Sequence, residues 1–203
     1  MADAWEGPDG PAVEAESVVL DAKGLRALAH PVRVQLVGLL RKHGPSTATR
    51  LAERLGVNSG TASYHLRQLG AAGFVEEDTE RGNARERWWR SVHRMTELRG
   101  RELADDEPEA MLAYLQSVAA LYTLHVQRTL GGLQTMPPAW RGTFDMSDRD
   151  LLLTPDETVA LRQELWDVIG RYRPDTPEAA ATAPEGAGRV EVITHILPEP
   201  EES

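Results

Sequence analysis

Between residues 21 and 73 apolar side chains recur at steps of three and four, the period of a helix with one buried face. Leu25 and Leu28 turn inward in a helix starting near Asp21. Pro31 opens a second helix where its missing N–H leaves nothing unbonded, with Val32, Leu36, Leu39 and Leu40 inside and Arg33, Arg41 and Lys42 outside. Leu51 and Leu55 pattern a short helix over 47–56, and Ala62, Leu66 and Leu69 pattern another over 58–73. Asn58 or Ser59 can cap this last helix, and Gly56 and Gly73 can stop the pair. A small polar side chain accepts a first-turn N–H, and glycine adopts the left-handed backbone of a helix end. Beyond Gly73 the period changes. Residues 74–79 and 86–92 read as the two strands of a hairpin, joined by a polar loop with Gly82-Asn83 at its tip. Trp88 and Trp89 are adjacent in the second strand, so they point to opposite faces. One belongs to the core and the other to a surface that meets the following domain or a partner.

Residues 97–109 are charged and read as a connection. A long helix follows over 109–131, with Met111, Leu115, Val118, Tyr122 and Val126 on a seam that Leu112, Ala119 and Leu130 widen. So wide an apolar surface needs two things to pack on, its own domain and the same helix of a second chain. Met111, Leu115, Val118 and Tyr122 are therefore the expected dimerisation residues. His125 on this helix has no second ligand at i+3 or i+4 and reads as packing. Residues 143–146 and 150–153 look like short strands. Thr154-Pro155-Asp156-Glu157 is a capping box that opens a helix, with Leu161, Leu165, Val168, Ile169 and Tyr172 inside and Pro174 as its stop. A flexible link at 174–188 and a closing strand at 189–197 complete the pattern.

The helices at 47–56 and 58–73, joined by Gly56-Val57-Asn58, have the spacing of a helix-turn-helix. The second carries Ser59, Gly60, Thr61, Ser63, Tyr64 and Arg67 away from its apolar stripe. Most lie in its first two turns, where a recognition helix meets base edges and phosphates. His65 divides evenly between such a contact and a structural role, whereas His30, before a proline, reads as a hydrogen-bonding helix cap. The hairpin then acts as a wing. Arg81 and Arg85 read as groove or phosphate contacts ahead of pairing with Glu77, Asp78, Glu80 and Glu86, and Arg87 is even between the two. Taken together, Leu28-Ala-His-Pro-Val-Arg, Leu51-Ala-Glu-Arg-Leu-Gly-Val, Thr61-Ala-Ser-Tyr-His-Leu-Arg-Gln-Leu and Ala72-Gly-Phe-Val resemble ArsR-type winged-helix transcriptional regulators over about residues 20 to 95. The resemblance implies a larger form with an extra domain after the wing. The expected fold class is α+β, mainly α: a winged helix-turn-helix domain over 18–96 and a smaller α+β dimerisation domain over 97–197. A disordered acidic tail at 1–17 precedes them and an acidic tail at 198–203 follows.

Charge at first opposes a DNA partner, since the 203-residue chain has a formal net charge of −10 and nucleic-acid binding is driven largely by neutralising phosphates. Its distribution reverses the conclusion. Residues 21–94 hold thirteen Lys/Arg and seven Asp/Glu, a net +6, and the remainder carries −16. There is no cysteine, hence no disulfide framework and no thiolate metal site; no metal and no cofactor is expected. ArsR-type proteins are often metal sensors using thiolates or a His/carboxylate set on the dimer helix, and this chain departs from both patterns. A metal-responsive sensor is therefore an alternative only, and an organic effector, a protein partner or no effector stay open. An enzyme would need a Gly-rich phosphate loop, a Gly-x-Ser-x-Gly or a His/carboxylate pair at metal spacing, and the sequence has none. No apolar run approaches the ~18 residues that span a bilayer, and the acidic N-terminus is unlike a secretory signal, so a cytoplasmic protein without membrane contact is expected. The expected function is a sequence-specific transcriptional regulator, read as a repressor. It would act as a homodimer on an inverted-repeat operator in double-stranded DNA, with release by a small-molecule effector. A winged helix used only for protein contacts is the alternative.

Overall fold

The computed structural model describes residues 17–81, 86–98 and 101–199. Most of both expected tails, and the hairpin tip with Arg85, lie outside the described residues. Along the chain run β1 (Ser17–Val19), α1 (Ala22–Leu28), α2 (Pro31–His43), β2 (Ser46–Thr47), α3 (Ala48–Leu55), α4 (Ser59–Ala71), β3 (Val75–Glu77), β4 (Trp88–Ser91) and β5 (Met95–Glu97). Next come α5 (Arg101–Asp106), α6 (Pro108–Gly132), a short 3-10 turn (Leu133–Thr135), α7 (Pro138–Arg141), α8 (Pro155–Gly170) and α9 (Pro177–Ala181). The fold is α+β and mainly α, as the sequence led us to expect.

Side chains cap the helices of the first half. Asp21 accepts the Gly24 N–H at 2.6 Å at the front of α1, His30 accepts from Val32 through Nδ1 at 3.2 Å at the front of α2, and Thr47 accepts from Arg50 at 3.4 Å at the front of α3. Each satisfies one of the donors a first helical turn leaves unbonded. Leu25, Leu36, Leu51, Leu66, Leu69 and Val75 are fully buried, and Leu28, Leu40, Phe74 and Trp89 join them in one core. β4 is the centre of an antiparallel sheet in the order β2-β4-β3, with Glu76 opposite Arg90 and Thr47 opposite Trp88.

Four expectations give way. Residues 97–109 are not a bare connection: β5 pairs in parallel with β1, Val18 opposite Thr96, and α5 follows. Arg41 is not outside. It is partly buried and donates to the His93 carbonyl and to Thr96 Oγ1, both at 2.8 Å, tying α2 to the segment after β4. Its long stem lets a charged residue on the inner flank of a helix reach polar groups across an apolar surface. The domain boundary expected after residue 96 is also displaced: the described residues up to Arg141 form one compact unit and those from Gly142 another. Met111 and Tyr114 of α6 belong to the same core as Leu36 and Leu66, so the long helix is part of the winged-helix body. An ion pair between Arg26 and Glu107 links α1 to the cap position of α6.

The fourth concerns the second unit. Its described residues form helices α8 and α9 and no strand, so the strands expected at 143–146, 150–153 and 189–197 are absent and the smaller domain is not α+β. An apolar run has no ladder to join unless another strand lies beside it. The capping box does form: Thr154 N–H donates to Glu157 Oε2 at 2.8 Å and Glu157 N–H to Thr154 Oγ1 at 3.3 Å. The Thr154 N–H first, and then the Thr154 hydroxyl, which donates to the same Oε2 at 2.9 Å, hold the Glu157 carboxyl below its ordinary range. α8 has no buried residue among the described ones: of its expected inner stripe Leu161 and Ile169 are half-buried, and Leu165, Val168 and Tyr172 are exposed. The helix ends at Gly170, ahead of Pro174.

Candidate nucleic-acid interface

The turn between α3 and α4 is set by backbone chemistry. Gly56, at φ 68°, takes the left-handed conformation that closes α3 and lets the chain reverse within three residues, and Asn58 then caps α4 by accepting the Thr61 N–H at 2.7 Å. At the other end Gly73, at φ 85°, breaks the helix, while the Lys23 ammonium donates to the Ala71 carbonyl at 2.9 Å. A cation on the last carbonyls complements the helix dipole. Ala62, Leu66 and Leu69 are wholly buried beneath α4, and a Cβ on Gly70 would stand 3.3 Å from the Trp89 ring. The rear of the helix is therefore seated closely on the hairpin.

That seating determines what faces outward. Ser59, Gly60 and Arg67 are exposed, Tyr64 keeps 54% of its surface, and Thr61 and Ser63 are half-buried. Arg67 Nε donates to the Ser63 carbonyl at 3.2 Å, which holds its guanidinium along the helix beside Tyr64. Gln68, four residues after Tyr64, shares this exposed face. Its i+4 spacing from Tyr64 is the signal in the sequence that places it there.

His65 faces the other way. It is 8% exposed, and its ring lies 4.4 Å from that of His30 with Tyr64 edge-on at 5.3 Å, so the direct DNA contact weighed for it is corrected to a buried structural position. Its spacing explains this: His65 stands directly before Leu66 and three residues after Ala62, inside the buried arc of the helix. Burial first, then the neighbouring charges, lowers both imidazoles from 6.5: Arg33 acts on His30, and His30 and Arg33 act on His65. A histidine whose folded pKa is depressed is stabilising in its neutral form, fully so above the unfolded value. That contribution is lost as pH falls below 6.5 and through the depressed folded values. Urea unfolding from pH 8 to pH 5 should show stability dropping, by at most about 1.4 kcal/mol per pH unit for each histidine. His65→Leu should flatten the slope, and an identical slope in that variant would remove His65 as its source.

In the wing, Trp89 is 6% exposed and in the core, while Trp88 lies on the opposite face with the Arg50 guanidinium 5.1 Å from its ring centre. The arginines are paired: Arg81 with Asp78 at 3.5 Å, Arg87 with Glu77 at 3.1 Å and Arg90 with Glu76 at 2.9 Å. The Arg87 and Arg90 pairs are exposed on both sides and worth ~0–1 kcal/mol, so a phosphate can displace their carboxylates at little cost, whereas the Asp78 that holds Arg81 is buried. Among the described residues no group of three or more His, Asp or Glu is arranged to hold a metal, and no helix is long and apolar enough to cross a membrane.

A capped helix backed by a buried stripe, exposing a polar front and followed by a β-hairpin, is a winged helix-turn-helix, a DNA-binding transcription-regulator fold. Residues 28–78 match the helix-turn-helix domain family. The match ends at Asp78, before the second wing strand. No curated protein matches the chain. Among solved structures, the chain is similar to the homodimeric winged helix-turn-helix DNA-binding domain, fragment 1–100, of Mb0332 from Mycobacterium bovis, described as a possible ArsR-family transcriptional regulator. The identity is 28%, covering 51% of this chain and 79% of that one, with a TM-score of 0.31. It is also similar to apo ZitR from Lactococcus lactis, at 16% identity, covering 71% and 83% with a TM-score of 0.30. The disulfide form of AbfR follows at 13% identity, covering 51% and 71% with a TM-score of 0.27. The winged helix stands on the sequence match and the geometry above, not on these partial superpositions.

Proposed function

We propose that the protein is a cytoplasmic homodimeric repressor that reads an inverted-repeat operator with α4 in the major groove and whose hold on DNA responds to a small-molecule effector. One observation carries the reading: the front of α4 exposes Ser59, Gly60, Tyr64 and Arg67 while Ala62, Leu66 and Leu69 bury its rear, so the exposed face has no packing role to explain it. In this pose Ser63, Tyr64 and Gln68 meet base edges, Arg67 meets a base or phosphate, and the Asn58 end of the helix lies against the backbone. Arg81 and Arg87 meet flanking phosphates in place of their carboxylates, and Arg85, between them in the chain, is assigned a phosphate as well.

The dimer is carried by α6. Leu112, Leu115, Ala119, Tyr122, Val126 and Leu130 follow one another at steps of three and four on the flank turned away from the core, and Leu112 and Leu115 are 57% and 47% exposed. Of the residues expected to dimerise, Leu115 and Tyr122 lie on this stripe. Met111 is buried at 8% and Val118 is half-buried against the protomer's own core, which favours Leu112 and Leu115 over them. Mb0332's DNA-binding domain is homodimeric, which agrees with the assembly proposed.

Selection of bound fragments from genomic DNA should enrich an inverted repeat whose half-sites lie about 34–36 Å, one helical turn, apart. Failure to enrich any sequence over random fragments would overturn base reading. The wing is tested separately by Arg81→Ala. It should weaken binding to operator and random DNA alike and reduce the slope of log affinity against log salt by about one phosphate contact. An unaltered slope would show that Arg81 stays on Asp78 and off the DNA.

A further inference from the structure

The segment from Arg189 to Leu197 has the composition of a strand yet joins no ladder in the protomer. Val190, Val192, Ile193, Thr194 and Ile196 are β-branched, a residue class suited to a pleated surface. Arg189 is tied to Asp175 at 3.0 Å where the segment begins, and Pro198 closes it. Val190, Val192 and Leu197 are 68%, 62% and 78% exposed. A run of this kind outside any ladder is a template for another strand, and charge says which. From Gly142 onward the chain holds fourteen Asp/Glu and five Arg, whereas residues 189–197 hold one Glu and one Arg. Two copies of so acidic a unit repel one another, and this net-neutral stretch lets them touch without like charges meeting. A basic partner would be drawn to the acidic remainder instead.

We propose that residues 189–197 pair antiparallel with the same segment of a second copy, about a two-fold axis at Ile193. In this register the whole segment overlaps, with Val190 opposite Ile196, Val192 opposite Thr194 and Glu191 opposite His195. Parallel pairing in register would set Glu191 beside Glu191, and like charges facing one another are destabilising. Side chains alternate along a strand, so Val190, Val192, Thr194 and Ile196 share one face of the ribbon. Thr194 and Ile196 already line a cleft of about 350 Å3 with Val159 and Trp166 of α8. The second copy's Val190 and Val192, next to Ile196 and Thr194 across the ladder, enter that cleft and cover a helix that has no buried residue in the protomer. A two-stranded ribbon is marginal on its own and is stabilised by packing on a helix; here each copy supplies one. The ladder still forms only between copies already held together. It therefore rests on the dimer proposed for α6, which brings the two segments to an effective concentration on the order of mM.

The chain has no cysteine, so single cysteines in the full-length protein report the register under mild oxidation. Each variant is checked for the parent's sedimentation and circular dichroism. Residue 193 faces its own copy with Cβ atoms about 4.5–5.5 Å apart, whereas the two copies of residue 191 stand about 13 Å apart, beyond the reach of a disulfide. Ile193→Cys should therefore cross-link roughly tenfold faster than Glu191→Cys, or more. Glu191→Cys mixed with His195→Cys should form the mixed disulfide after protomers exchange, and both positions are exposed, so this pair tests the register even if Ile193→Cys disturbs the fold. Adding Leu112→Glu to Ile193→Cys should abolish its cross-linking. In a protein that sediments as a dimer, equal rates for Ile193→Cys and Glu191→Cys, or no mixed disulfide, overturn the ladder and leave the α6 dimer standing. A parent that sediments as a monomer overturns the α6 dimer and the ladder with it. Fast cross-linking that survives Leu112→Glu supports the ladder and overturns α6 as the element that holds the dimer.

Discussion

Tyr64→Ala will lower affinity for the operator by roughly ten- to a hundredfold and leave affinity for random DNA nearly unchanged. A side chain on a base edge is worth ~1–3 kcal/mol of discrimination, and an uncharged residue contributes almost nothing to the phosphate attraction that dominates binding to random sequence. The geometry predicts a small effect on stability. Tyr64 keeps 54% of its surface, and its ring contact is the edge-on approach to His65. Ser63→Ala should act in the same direction and less strongly, since Ser63 is half-buried. Arg67→Ala is the control: a cation that meets phosphate loses affinity on both kinds of DNA and lowers the salt slope, whereas one that meets guanine loses it on the operator alone. Affinity on both DNAs should be measured with the melting temperature. If Tyr64→Ala lowers melting temperature and both affinities together, with the specificity ratio unaltered, the tyrosine is a packing residue and does not read bases.

What the sequence made legible was local. Helices α1 to α4 and the hairpin were readable because each has a cap, a stripe and a stop within a dozen residues, as Asn58, Leu66 and Gly73 do for α4. Decisions that depend on distant residues were not readable. Three residues of β1 have too few positions for a period, and their partner β5 lies far along the chain. A helical wheel puts Arg41 on the outer flank, but only the fold shows that His93 and Thr96 come within its reach. His65 shows the limit at the site itself. Its neighbours Tyr64 and Leu66 face opposite ways, so it stands at the border of the buried arc, and its proximity to His30 depends on how α2 crosses α4. In the second unit Leu151 and Leu152 have the composition of a strand and are 60% and 101% exposed. Composition describes what a segment could bury, and the contacts available decide whether it does.

The same distinction underlies the largest expected change in assembly. The sequence offered one wide apolar surface on the long helix, and the fold divides it. Met111 and Tyr114 pack in the protomer core, while Leu112 and Leu115 remain open to solvent. Leu112→Glu and Leu115→Glu should therefore leave the folded protomer and its melting transition in place, because in the monomer the new carboxylate stays in water. In the dimer it would be buried without a partner, at a cost of several kcal/mol, and sedimentation equilibrium should report monomers. Operator affinity should fall by roughly a hundredfold or more, since two linked heads gain 10²–10⁴ over one, and random DNA should be less affected. Met111→Glu makes the contrast: its side chain is 8% exposed inside the core, so the variant should fail to fold. Folded, fully dimeric Leu112→Glu and Leu115→Glu proteins would show that α6 does not hold the dimer, and the exposed stripe would then belong to another contact.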